Sequence, residues 1–587
     1  MTTFRVWAPF AKREVGLRLG DETLAMSRSD GGWWKLDVPH ASHGSDYAFL
    51  LDGEGPFPDP RSASQPNGID GPSRVIDHAA FAWQHDTWDV APLGGAALYE
   101  LHVGTFTPGG TFASAVEKLG YLVELGITHV ELMPVAEFSG GRGWGYDGVD
   151  LYAPHHAYGG PDALKRLVDA CHARGLGVIL DVVYNHLGPA GNHLGRFGPY
   201  FTRKYSTPWG EAVNFDDAGS DESRRFFIDN ALMWLRDYRI DGVRLDAVHA
   251  ILDTSAVHFL EQLATDAHEL SRQTGRHFDV IAESSLNDPR LVWPVERGGY
   301  GLEAAWSDDL HHALHCLLTG EKAGYYTDFG AVSVLAKALR DVYVYDGRYS
   351  PYRGHRHGRP ALDVTADNFV TFSQNHDQVG NRALGERLLH LVGPAGARVA
   401  AMITLAAPTV PLLFMGEEWA ASAPFQYFTD HVDPDLGAAV TRGRAHEFES
   451  FGWAVQDIPD PQSRATFERS RLDWDESQQE PHASMLDFYR TLIALRKTTP
   501  DLTDPDLSHV EVAFDEAARW LTMQRGSITL AVSFADAAQN VPLPHGARTL
   551  ILATDDSARL DAAGAHLPPV SAALFRNPPA WPAPSPP

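Results

Sequence analysis

Over the first 90 residues apolar and polar positions alternate in short runs separated by Gly, Pro and Asp turns. The runs are Phe4-Arg5-Val6-Trp7, Val15-Gly16-Leu17-Arg18-Leu19, Trp33-Trp34-Lys35-Leu36-Asp37-Val38 and Asp46-Tyr47-Ala48-Phe49-Leu50-Leu51. A two-residue period broken by turn residues predicts half-buried strands of a small β-sandwich. Ala91-Pro92-Leu93-Gly94-Gly95 reads as a linker, and beyond it the period changes. A strand-like run at 98–103 precedes a helical pattern at 112–125, with Val116, Leu119, Leu122 and Val123 on one face. Strand 130–134, helix 161–174 and the β-branched run Val178-Ile179-Leu180-Asp181-Val182-Val183 follow. Helix 223–238, strand 242–246, helix 256–274 and strand 280–283 come next, and then strands at 369–373 and 410–414. Such repetition predicts a parallel sheet, either open or closed into an eightfold barrel. The excursion 185–219, rich in Gly, Pro and aromatics, is a candidate lid or substrate-binding loop. After a helix at 485–496 and Thr499-Pro500, strand-like runs such as Ile528-Thr529-Leu530-Ala531-Val532 return from about 506, and the Pro-rich end reads as frayed. No internal repeat and no phosphate-cradling Gly loop is visible.

Composition narrows the class. The 587 residues are 44% hydrophobic and 21% charged, which is ordinary for a globular protein with a large core. The net charge of −28 argues against non-specific nucleic-acid binding, which needs a positive surface. Cys171 and Cys316 are too few for a disulfide framework, and Cys171 falls on the apolar side of a predicted helix, as a buried free thiol in a reducing compartment would. The start, Met1-Thr2-Thr3-Phe4-Arg5-Val6-Trp7, lacks the pattern of a secretory leader. The longest apolar stretch, 399–415, contains Pro408 and Pro411 and reads as a core helix followed by a buried strand rather than a membrane span. The expectation is a cytoplasmic protein, monomeric and without membrane or nucleic-acid partners.

Three acids close three strand-like runs. Asp246 ends Asp241-Gly242-Val243-Arg244-Leu245-Asp246, Glu283 ends Asp279-Val280-Ile281-Ala282-Glu283, and Asp377 lies in Ser373-Gln374-Asn375-His376-Asp377-Gln378. In a barrel all strand C-termini open on one face, so these carboxylates converge. Glycoside hydrolysis needs such a set, one acid to attack or activate water and one held protonated for the leaving oxygen. Arg244, two residues before Asp246, points to the same side of its strand and keeps a neighbouring carboxylate ionised. Glu283 has no such partner nearby in sequence, which permits a raised pKa and an acid role.

Asp181-Val182-Val183-Tyr184-Asn185-His186, Gly242-Val243-Arg244-Leu245-Asp246, Ala282-Glu283-Ser284 and Asn375-His376-Asp377 resemble, in order, the four signature regions of the α-amylase superfamily. The resemblance covers essentially the whole chain. It implies a retaining mechanism with Asp246 as nucleophile, Glu283 as general acid/base and Asp377 as the acid that binds sugar hydroxyls. It also implies that Arg244, His186 and His376 line the subsite of the attacked sugar and that Tyr146 stacks under it. His249, Asp308, His311, His312, Gln378 and Asn381 are further substrate contacts on this basis. The stretches around the signatures, among them Tyr99-Glu100-Leu101-His102-Val103-Gly104-Thr105-Phe106 and Gly416-Glu417-Glu418-Trp419-Ala420-Ala421-Ser422, are similar to the superfamily's trehalohydrolase branch. That branch cleaves malto-oligosyltrehalose and related α-glucans. The main rival is a glucan branching transferase, whose signature after the seventh strand differs from His376-Asp377-Gln378-Val379-Gly380-Asn381; a catalytically silent glucan-binding barrel is a third reading.

The resulting expectation is a central (β/α)₈ TIM barrel at 91–500, an N-terminal β-sandwich at 1–90 and a C-terminal β-sandwich at 501–587. Specificity for the trehalose end is assigned to the loops 308–312 and 417–427. Adjacent histidines such as His311 and His312 rarely face one ion, so sugar binding is the preferred reading of the pair. Asn185 coincides with a calcium ligand in many amylases, but Asn185-His186-Leu187-Gly188-Pro189 departs from their acidic loop, so neither metal nor cofactor is expected. Core packing by one of Trp33 and Trp34 and domain spacing by the other is preferred over glucan binding. His102 is assigned either to the barrel mouth or to a structural role at a strand end.

Overall fold

A computed structural model of the protein describes residues 1–88, 90–449, 457–543, 549–562 and 564–577. Eight parallel strands close on themselves: β1 Leu98–Leu101, β2 His129–Leu132, β3 Gly177–Val182, β4 Gly242–Leu245, β5 Asp279–Glu283, β6 Ala304–Trp306, β7 Phe369–Phe372 and β8 Val410–Phe414. Closure comes from β8 lying beside β1, with Leu412 opposite Leu98, so the open-sheet alternative is excluded. All six residues of β3 are buried, as a strand between barrel lumen and outer helices requires.

The two-residue strand period builds the site. Leu98, Ile179, Ile281, Trp306, Phe372 and Leu412 meet in one apolar cluster inside the barrel. Two residues further along β1, β3 and β5 stand Glu100, Asp181 and Glu283. The inward face that carries an apolar layer therefore ends in acids at the strand C-termini.

Local departures from the expected elements have local causes. The pattern at 112–125 forms two helices, Phe112–Val116 and Leu119–Leu125, the first capped by Thr111 and Ser114 in a reciprocal pair of bonds. The excursion 185–219 is folded: it holds a short helix, Leu194–Phe197, and a hairpin of Phe201–Thr207 with Gly210–Val213. The apolar stretch 399–415 forms the buried end of helix Leu388–Ala406 and then β8; that helix is apolar and long enough by composition alone to cross a membrane. Cys171 and Cys316 are both buried and unpaired.

Two sheets form the N-terminal sandwich, one of Thr2–Trp7, Trp33–Val38 and Ser27–Arg28, the other built on Val15–Leu19 and Asp46–Leu51. Trp34 is buried and donates to the Ala8 carbonyl at 3.2 Å. Trp33 reaches out to Glu222 of helix Ser220–Asp237 at 2.9 Å, with the Arg5 guanidinium 4.9 Å over its ring. One tryptophan packs the core and its neighbour ties the module to the barrel. At the other end, Val510–Asp515, Trp520–Arg525, Ile528–Ser533, Ser571–Arg576 and Thr549–Ala553 form an antiparallel sheet, faced by a second sheet of three short strands. Arg525 donates to the carbonyls of Ala406 and Ala407 at 3.1 Å each, joining this β-domain to the end of the helix that leads into β8. The Pro-rich end, 578–587, lies outside the described residues.

Candidate active site

Arg244 is the centre of the acid layer. Its Nη1 donates to Asp181 Oδ2 at 2.8 Å and to Asp246 Oδ1 at 3.0 Å, and its Nη2 lies 3.8 Å from Glu283 Oε2. The guanidinium carbon sits 4.3 Å over the Trp306 ring. Burial opposes a cation here, but Asp181, Tyr146, Asp246 and Glu283 more than offset it, and Arg244 remains charged. The register explains the pairing with Asp181: Arg244 of β4 stands directly opposite Asp181 of β3.

Asp246 follows the last residue of β4. Asn185 holds it from the side, donating one amide to both Asp246 Oδ2 and the Asp246 carbonyl at 2.8 Å. The next residue, Ala247, has φ of 40°, a left-handed conformation uncommon for a residue with a Cβ. That turn aims the Ala247 N–H at Glu283 Oε2, 2.6 Å away. Glu283 has its pKa pushed up to about 8, first by burial and then by the charges of Asp246, Asp308 and Asp377, with Arg244 opposing. No cationic partner lies near Glu283 in sequence, but in the fold the guanidinium that serves Asp246 also reaches it, and burial dominates to leave the raised pKa the acid role needs.

Asp377 stands in the first turn of a short helix, His376–Gly380, and accepts from Asn381 at 3.2 Å. His376 Nε2 lies 3.5 Å from Asp377 Oδ1 and 2.7 Å from the Tyr146 hydroxyl, while its Nδ1 pairs with buried Glu100. Burial alone would lower the His376 pKa; Glu100 and Asp377 instead raise it to about 9, so the ring is an imidazolium at neutral pH. The Tyr146 ring stacks on His376, with centroids 5.1 Å apart, and its hydroxyl donates to Asp181 at 2.6 Å. His186 is fixed by Asn185 and by the Tyr146 carbonyl, and its ring lies flat on Trp209 at 4.4 Å. Above these groups opens a cleft of about 810 Å³ lined by Asp246, Glu283, Asp377, Tyr146, His186 and His249, with Trp209, Asn381 and Tyr427 at its sides.

The alpha amylase catalytic domain family matches residues 57–196, and a domain family of unknown function, DUF3459, matches residues 505–574. A malto-oligosyltrehalose trehalohydrolase of Rhizobium sp. (strain M-11) is 49% identical over 98% of this chain and 97% of its own. The chain belongs to the malto-oligosyltrehalose trehalohydrolases. A 1,4-alpha-glucan branching enzyme of Corynebacterium jeikeium (strain K411) is more distant, at 30% identity over 71% of this chain and 60% of its own. The crystal structure of a Salmonella typhimurium protein assigned to the alpha amylases superposes with a TM-score of 0.90 at 38% identity, covering 98% of this chain and 97% of that one.

Some residues expected at the substrate sit elsewhere in the fold. His311 is buried in helix Asp309–Thr319, its ring bridging the Ser373 carbonyl at 2.6 Å and the Tyr326 hydroxyl at 3.0 Å. Both nitrogens are used, so His311 has none left for a sugar. His312 packs among Tyr325, Tyr326 and Phe329 and lies outside the cleft lining. Asp308 and Gln378 bond each other at 3.2 Å and are not among the cleft-lining residues, and burial pushes the Asp308 pKa up to about 7. Of the stretch 417–427 only Tyr427 lines the cleft. Glu417 instead takes the hydroxyls of Ser373 and Tyr489, and Glu418 those of Tyr99 and Tyr121, inside the wall of the barrel. His102 has the structural role, bonding Thr105 at 2.9 Å and the Gly143 carbonyl at 2.8 Å.

The site also holds groups that the sequence reading left out. Glu100, Asp181 and Trp306 form the buried surround of Arg244 and His376, and Asn185 serves Asp246. The usable signal for Glu100 and Asp181 was spacing: each lies two positions after an apolar lumen residue, on a strand end. Trp209, 48% exposed at the turn of the excursion hairpin, gave no periodic signal.

Proposed function

We propose that this trehalohydrolase cleaves the α-1,4 bond joining a maltooligosaccharide to its terminal trehalose, with retention at the attacked carbon. The observation that carries this reading is the single buried guanidinium of Arg244 held between Asp246 and Glu283 at the cleft floor. Asp246, bonded by Arg244 and Asn185, attacks the anomeric carbon. Glu283, with a pKa near 8, gives its proton to the bridging oxygen, and trehalose departs. The same carboxylate then takes a proton from the water that hydrolyses the glycosyl–Asp246 ester. Asp377 and Asn381 bind hydroxyls of the attacked sugar over the Tyr146 ring, which the His376 imidazolium backs, and His186 packs beside it in the cleft. Trp209 offers an exposed aromatic face to a neighbouring pyranose.

A branching transferase would use the same intermediate and pass it to a glucan hydroxyl instead of water. Incubation with trehalose-capped maltodextrin, followed by debranching and chain-length analysis, tests this directly. Free trehalose, an α-anomeric new reducing end and no α-1,6 links are expected; new branches would move the chain to the transferase. A silent glucan-binding barrel would have no use for three acids and an arginine held in this register. We further propose that the protein acts as a monomer in the cytoplasm, where its product contributes to trehalose formation. The two unpaired thiols support a reducing compartment.

A further inference from the structure

The excursion after β2 is pinned by a short antiparallel pair, Ala136–Glu137 with Asp150–Pro154, and between these strands run Trp144 and Tyr146 of the cleft. Glu137 ends one strand; His155 and His156 follow the other. A carboxylate oxygen of Glu137 and one ring nitrogen from each histidine lie within 4.8 Å of one another. Glu137 Oε1 is 2.6 Å from His156 Nδ1 and 3.2 Å from His155 Nδ1, while Oε2 accepts the His156 backbone N–H at 2.7 Å. His155 has the extended backbone of a helix N-cap (φ −52°, ψ 127°) and His156 opens the single turn that follows, which lets two adjacent rings swing to one carboxylate.

His155 is the decisive residue. Its side chain has 0% exposure, its ring lies flat on Phe138 at 3.8 Å, its Nδ1 faces only Glu137 Oε1 at 3.2 Å, and its Nε2 has no hydrogen-bond partner among the described residues. A buried imidazole whose nitrogens meet only one loosely placed carboxylate oxygen is a costly arrangement unless something else binds it. We propose that Glu137, His155 and His156 bind one divalent transition-metal ion of the zinc class. Two imidazoles and a carboxylate are a donor set for zinc or its first-row neighbours, whereas calcium and magnesium favour oxygen alone. The Glu137 oxygen that takes the His156 backbone N–H orients the carboxylate, and the ring packed on Phe138 orients His155. His156, with 34% of its side chain exposed, offers the way in and leaves room for water as a further ligand. Bound there, the ion displaces the proton shared by His156 and Glu137 and clasps both ends of the excursion that carries Trp144 and Tyr146. The site is separate from the carboxylates of the cleft, and nothing in the hydrolytic mechanism uses it.

The test uses the full chain stripped with a chelator and titrated calorimetrically with Zn²⁺, with metal content measured after gel filtration. One equivalent with a dissociation constant of about 1 μM or below is expected, and His156→Asn and His155→Gln are each expected to weaken it by about 100-fold or more. His156 is half-exposed, so His156→Asn tests the site without opening the core; circular dichroism of the metal-free variant checks that it is folded. A rise in melting temperature with Zn²⁺ in the wild type and not in His156→Asn is the second readout. No retained metal in the wild type, or unchanged affinity in the folded His156→Asn variant, would overturn the proposal.

Discussion

Arg244 donates to Asp246 across 3.0 Å, and neither group shares that contact with bulk water: the arginine side chain has 0% exposure and the aspartate 12%. Because the same guanidinium also bonds Asp181 and faces Glu283, its planar fork positions three carboxylates at once. Arg244→Lys keeps the charge and loses the fork. An ammonium cannot reach all three acids in the required directions, so kcat/KM is expected to fall by about 100-fold or more, with most of the melting temperature retained. Normal turnover in Arg244→Lys would reduce the residue to a structural ion pair.

The raised pKa of Glu283 sets a pH dependence. The acid step needs the protonated carboxyl, so activity is present below the Glu283 pKa and lost as pH rises through about 8. A pH profile of kcat/KM is expected to show its alkaline limb there. Glu283→Gln is expected to lower turnover by several orders of magnitude and to remove that limb from the residual activity. A limb that persists unchanged in the variant would assign it to another group.

Asn185 and Asp246 separate positioning from chemistry. Asp246→Asn removes the nucleophile, and a loss of about 10⁴-fold or more in kcat is expected. Asn185→Ala leaves the nucleophile in place and removes two 2.8 Å bonds to it, so a smaller loss of about 10- to 100-fold is expected, mainly in kcat. Steady-state kinetics on both variants checks the order. Equal losses would mean that the asparagine does more than orient.

Glu100 holds His376 as a cation behind the attacked sugar. The His376 pKa is raised from 6.5 to about 9. Since the folded value lies above the unfolded one, the stabilisation is complete below about 6.5 and is lost as pH rises through about 9. Glu100→Gln is expected to bring the His376 titration down toward neutrality and to flatten the fall in melting temperature between pH 7 and 9. NMR of labelled histidine and thermal denaturation at both pH values provide the check. A titration that stays near 9 in the variant would assign the shift to Asp377 instead.

Much of this arrangement was legible in the chain because barrel strands carry their chemistry at their ends. The runs ending in Asp246 and Glu283 announced both the parallel sheet and the acids. The sixth strand was implied before the loop 308–312 but not delimited, because Ala304–Trp306 is three residues long, too short to show a period, although it supplies the Trp306 ring under Arg244. His311 and His312 were misplaced because the helix begins at Asp309, a turn earlier than a substrate loop would allow, and carries both rings away from the cleft lining. Glu417 and Glu418 misled for a similar reason. Paired acids in the loop 417–427 read as groups facing the trehalose end, but four hydroxyls from distant elements bury them in the wall. Such partners are set by tertiary packing, which no local pattern records.

Substrate choice is the central claim, and one comparison tests it most directly: kcat/KM for a trehalose-capped maltooligosaccharide against that for an uncapped maltooligosaccharide of equal length. Polar groups placed for a trehalose end lose partners when a plain glucan binds, at about 1–3 kcal/mol each, so two of them give a preference of roughly 100-fold or more. The expected result is that preference, with trehalose as the disaccharide released. Equal kcat/KM on the two glucans would contradict the account and leave a general α-1,4-glucan hydrolase.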